Sequence, residues 1–95
     1  MSLGFEWDSR KAAANRRKHR VTFEEAATVF GDPLAVVFND EDHSIRERRE
    51  IMIGHSDERR LLLVAFTEHG GMIRIISARN VTKRERRDDE ENSIH

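Results

Sequence analysis

Leu61-Leu62-Leu63-Val64-Ala65-Phe66, followed by Thr67-Glu68-His69-Gly70-Gly71 and then Met72-Ile73-Arg74-Ile75-Ile76, decides the fold. Each apolar run holds five or six residues, is rich in branched side chains and is bounded by glycine or polar residues, which reads as a buried strand. Gly70-Gly71 supplies the positive φ values of a tight hairpin. Upstream, Ile51-Met52-Ile53 is a third run, ended by Gly54 and the polar turn His55 to Arg60. Strands joined by turns this short form an antiparallel meander, because parallel neighbours need long crossovers. Arg49 opens the meander, Arg74 interrupts it and Arg79 closes it. By strand alternation Arg79 falls with Ile73, Ile75 and Ser77, and Arg74 with Met72 and Ile76. Without a bulge the two arginines face opposite sides. Arg49 shares a face with Glu47, Ile51 and Ile53, which suits a phosphate contact or a structural salt bridge equally.

The preceding half supplies helices. Phe5-Glu6-Trp7 alternates like a short edge strand with both aromatics inward. Asp8 is a good N-cap for a helix through about Lys18, whose apolar face is only Ala12, Ala13 and Ala14. On that helix Lys11, Asn15 and Lys18 fall on one side, with His19 nearby. Thr22-Phe23-Glu24-Glu25 is a capping box, in which Glu25 is expected to reach back to the first turn. Phe23, Ala26, Ala27 and Phe30 then give an amphipathic stripe, which Gly31-Asp32-Pro33 stops. Leu34 to Phe38 reads as another strand and Asn39 to Ser44 as a polar loop. Thr82-Lys83-Arg84-Glu85 is a second capping box, opening a C-terminal helix. The order β-α-α-β-β-β-β-α predicts an α+β domain, a small, mostly antiparallel sheet with helices on one side.

At 95 residues the chain fits one domain over 1–95, with 1–4 read as a leader and 88–95 as an acidic flexible tail. Charged residues make up 37% of it and the mean hydropathy is −0.74, yet the apolar residues fall into periodic segments, which argues for a folded domain. Cysteine is absent, so there is no disulfide framework, thiolate zinc site or thiol nucleophile. No segment reads as a signal peptide or membrane span, so a cytoplasmic protein without a membrane partner is expected. The net charge of −1 hides a segregation. From Arg10 to Arg20 the chain carries Arg10, Lys11, Arg16, Arg17, Lys18 and Arg20 with His19 and no acid, whereas Asp88-Asp89-Glu90-Glu91 is the reverse. Such a basic stripe can grip phosphates.

The chemical inventory narrows the function. Arginine cannot act as a base at ordinary pH, but it grips phosphate bidentately and stabilises charge developing on phosphorus. RNA carries its own nucleophile in the 2′-OH, so cleaving it needs only positioning, proton transfer and charge stabilisation. Arginines beside a His or Lys therefore suit metal-independent cleavage of RNA. Lys18-His19 can be a proton-transfer and phosphate-binding pair, or simply cations favoured at a helix C-terminus. Asp40-Glu41-Asp42-His43 resembles a metal cluster but sits in a turn with no second ligand set, so no metal or other cofactor is expected. A non-catalytic nucleic-acid-binding module and a partner-binding module remain alternatives on these residues alone.

Phe5-Glu6-Trp7-Asp8, Lys11, Asn15 and Lys18-His19 resemble the opening signature of the BrnT-type toxins of bacterial toxin–antitoxin systems. So do Val21, Phe23-Glu24-Glu25-Ala26, Val29-Phe30 and Asp32-Pro33. Further on, His43-Ser44, Glu47, Arg49, Ile53-Gly54, Thr67-Glu68, Arg74 to Arg79 and Glu85-Arg86 follow in order and spacing. The resemblance implies a RelE-like fold, ribonuclease activity that blocks translation, and a co-encoded antitoxin that neutralises the toxin. It implies contact with operator DNA only through that antitoxin, and it leaves oligomerisation open. It points to Lys18, His19, Arg49 and Arg79 as catalytic residues; beside them Lys11, Arg16, Arg17 and Arg74, as further cations, are expected to bind RNA. The chain departs from the family pattern at Arg20, where Gly is usual after Lys-His. Glu50 replaces a usual aromatic, and Asp88 lies where Tyr is common.

Overall fold

A computed structural model describes residues 3–40, 48–82 and 84. The order of elements is β1 (Phe5–Glu6), α1 (Ser9–His19), α2 (Phe23–Thr28), a 3-10 turn (Val29–Gly31), β2 (Val36–Asn39), β3 (Glu50–His55), β4 (Leu61–His69) and β5 (Met72–Asn80). The strands form one sheet in the order β1-β5-β4-β3-β2, with β1 parallel to β5 and every other pairing antiparallel. The expected meander is β3-β4-β5, turned between the last two by Gly70 and Gly71 at φ 59° and 79°. The expected C-terminal helix, the acidic tail and most of the Asp40–His43 cluster lie outside the described residues.

The core forms on one face of the sheet. Leu62, Val64 and Phe66 of β4 and Ile73, Ile75 and Ala78 of β5 are buried there with Val21, Phe23, Ala26 and Val29. At roughly 1.5–3 kcal/mol per fully buried large apolar side chain, this cluster is the main driving force for folding. Edge-to-face rings extend it, Phe5 on Phe30, Phe30 on Phe66 and Trp7 on Phe23. Both N-terminal aromatics thus turn inward, as their alternation predicts. Gly54 is where β3 passes under the 3-10 turn. A Cβ there would stand 2.8 Å from the Ala35 Cβ and 3.0 Å from Val29 Cγ1, closer than carbon atoms pack.

Two local expectations change. β2 begins at Val36, two residues late, because Asp32 holds the preceding turn: its Oδ1 accepts from the Leu34 amide at 2.9 Å and its carbonyl from the Ala35 amide at 3.1 Å. Thr22 does cap α2, accepting from the Glu25 amide at 3.1 Å. The Glu25 carboxylate, however, goes to long-range partners. It accepts from Ser56 Oγ at 2.7 Å and from two nitrogens of Arg60, and Arg60 also donates to the Arg20 carbonyl. A buried carboxylate gains more from a guanidinium than from a capping amide. This ties the start of α2 to the β3–β4 turn.

The hydrogen bond from Arg60, helped by Ser56 and opposed by burial, holds the Glu25 carboxyl below the ordinary carboxylate range. A depressed folded-state pKa contributes stability above the unfolded-state value and loses it as pH falls through the folded one. We expect melting temperature to fall from about pH 5 downward, and Glu25→Gln to flatten part of that fall while lowering stability at neutral pH. A Glu25→Gln curve parallel to wild type from pH 7 to pH 3 would assign the acid lability elsewhere.

Arg20 closes α1 in the left-handed conformation, φ 58° and ψ 33°, with its amide on the Arg16 carbonyl at 2.9 Å. The C-cap that glycine would adopt without strain is therefore kept, at a cost of about 1 kcal/mol for a residue with a Cβ. Arg20→Gly is expected to raise stability by roughly 0.5–1 kcal/mol, read as a higher melting temperature.

Candidate functional site

The arginines of the sheet are positioned by a β-bulge. Ala65 pairs with Ser77 but Phe66 pairs with Ile75, leaving Ile76 as an extra residue in β5. One extra residue inverts the alternation beyond it. Ile73 and Ile75 face the core before the bulge and Ala78 faces it after, so Arg74, Ser77 and Arg79 all turn to the opposite, outer face. The strict alternation that separates Arg74 from Arg79 is overturned by that single residue.

Register extends this face across the sheet. One row runs Val36, Ile53, Leu63, Arg79, and the next Phe38, Ile51, Ala65, Ser77. In a third row Asp40 pairs with Arg49 through its amide, and Thr67 pairs with Arg74. Thr67 Oγ1 donates to the Arg48 carbonyl at 3.0 Å, which brings this row of β4 against the start of β3. Arg49, Arg74 and Arg79, each half-buried, therefore border one apolar lane of Ile51, Ile53, Leu63 and Ala65. With strands ~4.8 Å apart and a side-chain repeat of ~6.8 Å, the Cα atoms of Arg49 and Arg79 lie roughly 17 Å apart, within joint reach of two extended guanidinium side chains and a phosphate between them. The Arg79 guanidinium donates to the Asn80 carbonyl at 3.2 Å.

Asn15 holds α1 against this structure. Its Nδ2 donates to the Ala78 carbonyl at 2.8 Å and to the Val21 carbonyl at 3.0 Å, and its Oδ1 accepts from the Ala78 amide at 3.1 Å. At this position β1 no longer covers β5, so the buried amide takes the place of a neighbouring strand. Asn15 thus leaves the basic stripe in which the helical wheel puts it. An asparagine inside a helix, where it is a poor former, is the signal that marks such a role.

The seat of Asn15 also divides its neighbours. At 100° per residue Ala12 and His19 fall to one side of it, Lys11 and Lys18 to the other. Ala12 packs on the core. The Lys11–Lys18 flank is therefore turned away from the core, toward the side of the arginine face, with both lysines exposed. His19 is half-buried on the Ala12 flank. Asp8 caps α1, accepting from the Arg10 and Lys11 amides at 2.7 and 3.1 Å. Those amide bonds, Lys11's foremost, hold its carboxyl below the ordinary range, and the charges of Lys11 and Arg74 act in the same direction. Arg74 and the start of α1 thus share one electrostatic neighbourhood.

Arg16 and Arg17 point elsewhere. With Ala13, Arg20 and Thr22 they line an open trough of about 580 Å³ on the far side of α1 from Asn15. It holds no group suited to proton transfer and sits away from the sheet arginines. The eight candidates therefore divide into Arg49, Arg74 and Arg79 on the sheet face, Lys11 and Lys18 on the adjoining flank, His19 beside the core flank, and Arg16 and Arg17 behind.

The sequence matches the family model of the ribonuclease toxin, BrnT, of type II toxin–antitoxin systems over residues 7–85. The chain belongs to that family. The crystal structure of the Brucella abortus ribonuclease toxin, BrnT, superposes with a TM-score of 0.66 at 22% identity, covering 86% of this chain and all of that one. At that identity the likeness shows the fold, and the α+β architecture expected for a BrnT toxin is the one observed. No curated protein sequence matches the chain. Membership of a type II family brings with it an antitoxin partner. Among the described residues no helix is long and apolar enough to cross a membrane.

Proposed function

We propose that this BrnT-family chain is a metal-independent endoribonuclease of the cytoplasm, that it blocks translation by cutting RNA, and that its co-encoded antitoxin neutralises it. The alignment of Arg49, Arg74 and Arg79 on one face of the sheet carries this reading. The RNA 2′-oxygen attacks its own phosphorus as the 2′-proton is taken up. The bond to the 5′-oxygen breaks, and that oxygen leaves protonated, with a 2′,3′-cyclic phosphate behind. Arg49 and Arg79 bind the scissile phosphate and stabilise the charge gained on its oxygens. Lys18 and His19 handle the protons, Lys18 from the flank nearer the arginines. Lys11 and Arg74 hold adjacent phosphates, and Arg16 and Arg17 carry the strand onward along the trough. Operator DNA is met only through the antitoxin.

Inducible expression in bacteria, with and without the co-encoded neighbour, tests the reading. Growth arrest relieved by the neighbour is expected, with Lys18→Ala relieving it more than His19→Ala. Arrest that persists unchanged in Lys18→Ala and His19→Ala alike would remove α1 from the proton chemistry. Healthy growth on strong expression of the soluble protein would contradict the toxin reading. Tight salt-dependent RNA binding without turnover would favour a non-catalytic module instead.

A further inference from the structure

The two edges of the sheet are treated differently. On the β5 side, β1 pairs with the first half of the strand and the Asn15 amide occupies both backbone groups of Ala78 farther along. On the other side, no strand among the described residues pairs with the outer edge of β2. All four of its residues are exposed, Val36 at 48%, Val37 at 44% and Phe38 at 46%, and Leu34 just before it is 84% exposed. Since the Asp40 amide donates to Arg49 across to β3, alternation turns Phe38 and Val36 to β3 as well. The N–H and C=O of Val37 and Asn39 therefore point outward, away from the sheet. Natural edges are commonly blunted by charge, proline or a bulge within the strand. Val36-Val37-Phe38-Asn39 carries no charge and no proline, and its register with β3 is unbroken. It is an edge built to receive a strand.

Three half-exposed apolar side chains offer a second copy on the order of 250 Å² per partner, far below the ~800 Å² typical of a stable interface. An extended segment of a different chain is not so limited. Val36 and Phe38 begin the outer-face rows that continue through Ile53, Leu63 and Arg79 and through Ile51 and Ala65. A strand added at β2 can go on to cover that lane and, with it, the approach to the arginines.

We propose that β2 is the docking edge for the antitoxin: an extended antitoxin segment with alternating apolar residues adds to the sheet as a sixth strand, bonded to the Val37 and Asn39 backbone. The proposal rests on the reading that an antitoxin neutralises this chain. Main-chain bonds supply the affinity of such an addition, and the side chains flanking Val36 and Phe38 its selectivity.

Hydrogen exchange of the toxin alone and in complex with its co-encoded antitoxin tests it, together with Val37→Pro and Phe38→Ser. The Val37 and Asn39 amides are expected to slow at least about tenfold in the complex, while the Phe38 amide, already bonded to β3, changes little. Val37→Pro removes one outward donor at a position where an edge strand tolerates proline. It is expected to weaken antitoxin binding about tenfold or more while keeping RNA cleavage and melting temperature, and Phe38→Ser to weaken binding too. Val37 and Asn39 exchanging as fast in the complex as in the free toxin would overturn the proposal. Unchanged affinity in Val37→Pro would do the same, and so would protection of these amides that rises with the concentration of toxin alone. A wild-type toxin that fails to cut RNA while these amides are still protected by the antitoxin would overturn the ribonuclease reading and leave the docking edge standing.

Discussion

Arg79→Ala is expected to lower the rate of RNA cleavage by roughly a hundredfold to a thousandfold, the usual loss when one preorganised donor to a developing oxyanion is removed. Arg79 closes the row Val36, Ile53, Leu63 on the outer face and is half-buried, so a phosphate bound by its guanidinium would sit in a less watery setting than one on a surface cation. Shielding from solvent strengthens each such contact. Arg79→Lys should recover only part of the loss, because an ammonium lacks the planar fork that holds two phosphate oxygens. The fold should survive both changes, since the side chain lies opposite the core. Circular dichroism and melting checked against single-turnover cleavage separate the two effects. Cleavage within threefold of wild type in a folded Arg79→Ala would move the chemistry off this face.

Asn15→Leu is expected to destabilise the fold more than any substitution of the sheet arginines. The replacement keeps the side chain's bulk and removes bonds to the Ala78 carbonyl, the Ala78 amide and the Val21 carbonyl. Each buried backbone group left unpaired costs about 1–3 kcal/mol. A total near 3 kcal/mol lowers the melting temperature of a domain this size by roughly 12–24 °C. The same amide fixes α1, with Lys18, against the strand that carries Arg79. Cleavage measured well below the lowered melting point should therefore fall too, and Asn15→Asp should not rescue the fold, because its second carboxylate oxygen would face the Val21 and Ala78 carbonyls with no proton to donate. A loss under about 1 kcal/mol would mean that water or another group takes over the β5 edge.

The strands, the hairpin at Gly70-Gly71 and the two N-caps were legible in the sequence because each rests on neighbours a few residues apart. What was not legible depends on distant partners. Glu25 follows a capping-box pattern, but Arg60, thirty-five residues on, offers a stronger partner. Asn15 sits among basic residues on a helical wheel, and only the bare edge of β5 explains why it turns inward. Arg20 lacks the glycine that marks a left-handed cap, yet the bond to Arg16 and the pull of Arg60 on its carbonyl hold it there. The bulge at Ile76 left no trace in a run of alternating apolar residues, and it alone decides that Arg74 and Arg79 share a face. The choice of Arg49 and Arg79 came from chemistry and resemblance. That they share one face follows from strand register across three strands, which no local pattern records.

The most direct measurement is incubation of purified protein with RNA in EDTA, followed by analysis of the new ends. Cleavage by 2′-OH attack guided by Arg49, Arg79 and Lys18 predicts undiminished cutting in EDTA, 2′,3′-cyclic phosphate on the upstream fragment and a 5′-hydroxyl on the downstream one. Cutting abolished by EDTA and restored by a divalent cation, or 5′-phosphate ends, would contradict it.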